Sequence, residues 1–70
     1  MAAKVIYTSR LEDHELRTHL ENQDTVLFKG LGGEGQEIER QVERLGFGEL
    51  YVVSQRGSRE GDTKVSLLRA

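Results

Sequence analysis

Cysteine and proline are both absent from the 70 residues, and so is tryptophan. Without cysteine the chain has no disulfide, no thiolate metal site and no cysteine nucleophile. Small secreted domains usually rely on disulfides, so a cytoplasmic setting is expected. Without proline, the eight glycines must supply most of the breaks between elements. Long apolar runs are missing too: nothing approaches the roughly 18 residues of a membrane span. The opening Met1-Ala2-Ala3-Lys4 passes straight into an apolar, strand-like stretch. It lacks the hydrophobic segment and small-residue cleavage site of a secretory signal, so none is expected. Neither charge sign dominates, with ten basic and twelve acidic side chains for a net charge of −2. A dedicated duplex-DNA binder would be basic overall.

What is present fits one small domain over residues 1–70. A chain this short buries only about 60% of its unfolded surface, so its core is thin. Its apolar residues are clustered and periodic, which argues against disorder. Lys4–Thr8 (KVIYT) is rich in β-branched and aromatic residues and reads as a strand. Ser9-Arg10-Leu11-Glu12 has the spacing of a capping box, predicting a helix over residues 10–22 with Ser9 as its cap. Leu16 and Leu20 share a helical face, while Leu11 lies well round from them. The stretch from His14 to Asn22 also alternates tolerably as a strand. Thr25–Lys29 (TVLFK) reads as a buried strand and Gly30–Gly35 as a glycine-rich loop. Gln36–Leu45 is the clearest helix, with Ile38, Val42 and Leu45 spaced by four and three, and Gly46 is its natural terminator. Glu49–Ser54 and Lys64–Leu68 read as a final hairpin. The expected fold is an α+β two-layer sandwich of β-α-β-α-β-β order. One mixed four-stranded sheet would be covered on one face by two helices.

Gly30-Leu31-Gly32-Gly33-Glu34-Gly35 matches G-x-G-x-x-G between a predicted strand and a predicted helix. Gly30, Gly32, Gly33 and Gly35 would let the backbone approach a phosphate, and the helix N-terminus would offer free N–H groups. The run from Val26 to Arg56 resembles the first β-α-β unit of Rossmann dinucleotide-binding domains. In that family an acidic residue follows about 20 residues on, and Ser54-Gln55-Arg56 stands there instead. By that resemblance the site would suit a 2′-phosphate. Seventy residues cannot hold both halves of such a fold, and the same glycines also suit a plain tight turn.

The second candidate is the basic segment joining the last two strands. Arg56, Arg59 and Lys64 are placed to grip phosphates, and Tyr51 offers a stacking surface if it faces outward. A solvated hairpin loop is the competing account. The order of elements resembles the C-terminal, RNA-binding domain of bacterial translation initiation factor 3 and the small sulfur-carrier domains. The sulfur carriers use a Cys-Pro pair at the first helix, and both residue types are missing here.

His14 and His19 lie five apart, about 140° round a helix, so they do not converge on a metal. Ser9 reads as a cap, with no base placed to make it a nucleophile. The chain is therefore expected to be a small non-enzymatic interaction module, without cofactor or membrane. Its partner would be a protein or single-stranded nucleic acid, and the alternative is nucleotide or phosphate binding at the glycine loop. A homodimer would be sought at an exposed strand edge, either Lys4–Thr8 or Lys64–Leu68.

Overall fold

A computed structural model describes residues 4–30, 35–55 and 61–68. The elements run β1 (Val5–Thr8), α1 (Asp13–Glu21), β2 (Thr25–Phe28), α2 (Gly35–Arg44), β3 (Tyr51–Ser54) and β4 (Thr63–Leu67). They form one mixed four-stranded sheet in the order β1-β2-β4-β3. The first two strands are parallel, and β4 lies antiparallel to both β2 and β3. This is the expected two-layer α+β sandwich.

Register divides the strand side chains into two faces. Ile6, Val26, Val65 and Val53 share one row, and Phe28 and Tyr51 point the same way by alternation. On that face Val26, Phe28, Val65 and Tyr51 pack with Leu16 and Leu20 of α1 and with Val42 and Leu45 by α2 as one core. Burying each such side chain contributes about 1.5–3 kcal/mol, and only eight buried hydrophobics share this load.

The first helix starts three residues later than the Ser9 spacing predicts. Glu12 is its N-cap, and the Glu15 carboxylate accepts the Glu12 N–H at 3.0 Å. Two overlapping signals compete, Ser9-x-x-Glu12 and Glu12-x-x-Glu15, and burial selects the second. With Glu12 as cap, Leu11 precedes the helix and Leu16 occupies its fourth position, the pair that a hydrophobic staple uses. Leu16 is fully buried, and Leu11 packs against the same core. Residues 13–21 are helix, not strand.

Both helices end in the same hydrogen-bond pattern. At α2, Gly46 has φ +90°, its N–H donates to Glu43 O, and Phe47 N–H donates to Val42 O. This paired arrangement closes the last carbonyls, and glycine adopts the left-handed backbone without cost. At α1 the corresponding left-handed residue is Gln23, φ 63°, with Gln23 N–H on Leu20 O and Asp24 N–H on His19 O.

One edge expectation is corrected. Lys64–Leu68 cannot be a free edge, because β4 sits between β2 and β3. A strand last in sequence need not be last in space. The edges are β1 and β3.

Candidate functional site

Among the described residues, helices cover only one face of the sheet. The other carries the row Tyr7–Leu27–Lys64–Ser54 and, beside it, Val5–Thr25–Ser66–Val52, following the same register. The large exposed hydrophobics are Val5, Tyr7, Leu50, Val52 and Leu68. All five fall on this open face by strand alternation, Leu50 and Leu68 being joined by a Leu68 N–H to Leu50 O bond of 2.9 Å.

At one end of this face Tyr7 is 43% exposed. The Lys29 ammonium lies 5.3 Å from the centre of its ring, within cation–π range. The Tyr7 hydroxyl donates to Asp62 Oδ2 at 3.4 Å, which fixes the direction of the ring. Lys64 belongs to the same row, two strands away, or about 10 Å. Among the strand residues of this face Lys64 is the one charged side chain; Lys29 directly follows β2, and the Asp62 carboxylate reaches the same end through the Tyr7 hydroxyl. From Glu12 to Glu21 and from Gly35 to Arg44 there are seven carboxylates against three arginines, so the helix layer carries most of the acidic side chains.

Of the residues singled out from sequence, Tyr51 is a correction. It is only 5% exposed, and its hydroxyl donates to Leu20 O. Its ring meets Phe47 edge-on, with centroids 5.8 Å apart. Burial and the negative charge of Asp24 hold its phenol above the ordinary value. It belongs to the core and offers no stacking face. The exposed aromatic is Tyr7, which sequence reasoning passed over; alternation within KVIYT was the available signal. Lys64 is half-buried on the open face. Arg56 and Arg59 lie outside the described residues, as do Gly32 and Gly33.

The chain compares with none of the known family models, characterised proteins or solved structures closely enough to match.

The described ends of the glycine loop are engaged with the rest of the fold. Gly30 turns the chain after β2 with φ +71°, and its N–H donates to Asp62 Oδ1 at 2.9 Å. Asp62 is 2% exposed, so a protein carboxylate already takes the amide that a phosphate would use. Gly35, at the start of α2, is buried under Gln55; a Cβ there would come 1.8 Å from Gln55 Nε2. The described ends of the two loops therefore meet at one end of the sheet, Gly30 with Asp62 and Gly35 with Gln55.

A groove of about 1220 Å³ opens between the start of α1 and α2. Its floor holds Leu11 and Ile38. Arg44 binds both Asp13 oxygens across it at 2.8 and 3.2 Å, and Gln41 donates to Asp13 and to Leu11 O. The Arg44 and Gln41 bonds hold the Asp13 carboxyl below its ordinary value. These contacts tie the two helices together, and the remaining charges lining the groove are of both signs, Arg10 and Arg40 with Glu12 and Glu37. Among the described residues no three His, Asp or Glu side chains are grouped to hold a metal, and no helix is long and apolar enough to cross a membrane.

Proposed function

We propose that this chain is a non-enzymatic binding module whose open sheet face holds single-stranded nucleic acid. Tyr7 is the base-stacking surface, and Lys29 and Lys64 are the phosphate contacts. The observation that carries this reading is the exposed Tyr7 ring beside Lys29, with Lys64 in the same row of the open face. Every base has a π-face, so an aromatic platform with flanking cations takes single strands with little sequence preference. Seven of the twelve carboxylates lie in residues 12–21 and 35–44 on the helix layer, so the net charge of −2 does not bar a single strand from the sheet face. Arg56 and Arg59 add positive charge in the sequence segment that leads into β4.

The glycine loop is the weaker alternative, because Asp62 already occupies Gly30 and places a negative charge there. Catalysis finds no support in the shifted groups, since Asp13 and Arg44 serve the helix pairing and Tyr51 serves the core.

The test is fluorescence anisotropy with a short labelled mixed-sequence RNA at rising salt. Tyr7→Ala is expected to weaken binding by about 1–3 kcal/mol, or roughly 5- to 150-fold. Lys64→Gln is expected to reduce the log–log salt slope by about 0.7. Absence of binding to RNA or single-stranded DNA at low salt would overturn the proposal. Binding that Tyr7→Ala leaves unchanged would remove the sheet face from it.

A further inference from the structure

The two free edges of the sheet are unequal. On β3 the Tyr51 N–H already donates to Phe47 O at 3.0 Å. Glu39 and Glu43 of α2 line the same shallow cleft as Val52 and Val53, so a second copy approaching β3 would bring carboxylates together. Among the described residues the β1 edge has neither obstacle. Thr25 N–H donates to Lys4 O and Lys29 N–H to Thr8 O, so the even-numbered residues of β1 turn their backbone groups toward β2. Val5 and Tyr7 therefore present their N–H and C=O groups outward.

Proteins commonly guard such an edge with a charge, a proline or a bulge. Val5–Thr8 has no charged residue and no proline, and its register with β2 is continuous. Two outward-facing residues flanking Ile6 suit a copy of themselves. In antiparallel pairing centred on Ile6, Val5 of each chain stands opposite Tyr7 of the other. Each such pair exchanges two hydrogen bonds. The side-chain neighbours are then Val5 with Tyr7 on the open face and Ile6 with Ile6 on the helix side, both favourable cross-strand pairs. Val5 is 63% exposed in the single chain.

We propose that β1 is a self-association edge, along which two copies join antiparallel about a two-fold axis at Ile6. The product is an eight-stranded sheet with both Tyr7–Lys29 pairs side by side on one open face. The inference rests on the backbone of β1 and stands whatever that face binds. The contact is far smaller than the roughly 800 Å² per partner of a standard interface, so the association is weak.

Sedimentation equilibrium up to millimolar concentration tests the association, and cysteine crosslinking tests the register. The chain has no cysteine of its own to interfere. Paired Ile6 Cα atoms would lie about 4.5 Å apart, within disulfide range, whereas Val5 and its copy are diagonal neighbours at about 7–8 Å. The expected result is a mass that rises with concentration, with covalent dimer on mild oxidation of Ile6→Cys and little from Val5→Cys. A mass that stays monomeric at millimolar concentration overturns the proposal. So does association in which Val5→Cys crosslinks in preference to Ile6→Cys, or in which neither does, because the contact then lies elsewhere.

Discussion

Replacing Tyr51 by phenylalanine removes one buried hydroxyl and nothing else. The ring is retained with its edge-on contact to Phe47. The hydroxyl donates to Leu20 O, which also accepts the Gln23 N–H at 3.0 Å, so the carbonyl keeps a partner. The loss near pH 7 is therefore the net value of one hydrogen bond, about 1 kcal/mol, without the larger penalty of an orphaned group. The difference changes with pH, because burial raises the Tyr51 phenol above its ordinary value of 10.0. Above that pH the unfolded chain releases the proton and the folded chain keeps it. The unfolded state then binds fewer protons, so wild-type stability falls as pH rises, until the folded phenol itself ionises. Each pH unit in this window removes about 1.36 kcal/mol from the wild type and nothing from Tyr51→Phe. The two stabilities should converge as the pH rises above 10.0. Urea unfolding followed by far-UV circular dichroism at pH 7, 9, 10 and 11 measures the gap directly, and lysine titration is common to both chains. A gap that stays constant from pH 7 to pH 11 would show that the phenol is not held in the core, and the reasoning would fail.

Two other substitutions probe the helices. Gln23 holds a left-handed backbone that costs a non-glycine residue about 1–2 kcal/mol, while glycine adds entropy to the unfolded chain. Gln23→Gly should therefore stabilise by about 0.5–1 kcal/mol, seen as a rise in Tm of roughly 2–8 °C by calorimetry; a fall would contradict the assigned backbone. Asp13 has a folded pKa below the ordinary 3.8, chiefly through the Arg44 hydrogen bonds. Its stabilisation is present above that value and is lost as pH falls through the folded pKa. Asp13→Asn should flatten this part of the acid unfolding profile, and an unchanged profile between pH 5 and 2 would show that the bridge does not form in solution.

The parts of the fold legible in sequence are those where side-chain period is unambiguous. Ile38, Val42 and Leu45 leave only a helix for residues 36–45, and the structure places it within one residue at each end. The start of α1 was less legible, because two capping signals overlap and only the burial of Leu16 decides between them. The site was least legible. In YVVS three adjacent apolar residues give no alternation, so nothing local shows whether Tyr51 or Val52 turns inward. Strand order was equally silent, since pairing of β2 with β4 spans nearly forty residues and depends on contacts no local pattern reports.

The place of β4 in the sheet has a consequence for synthesis. The ribosome delivers β1, α1 and β2 first, then α2 and β3, yet β2 and β3 are joined only through β4, which lies between them. Before Thr63–Leu67 emerges, the nascent chain carries the β1–β2 pair and an unpaired β3, with Val26 and Phe28 incompletely covered. The domain must therefore close late, in one cooperative step with its final strand as the keystone, and a pause in translation before that strand would expose the apolar row most prone to wrong pairing.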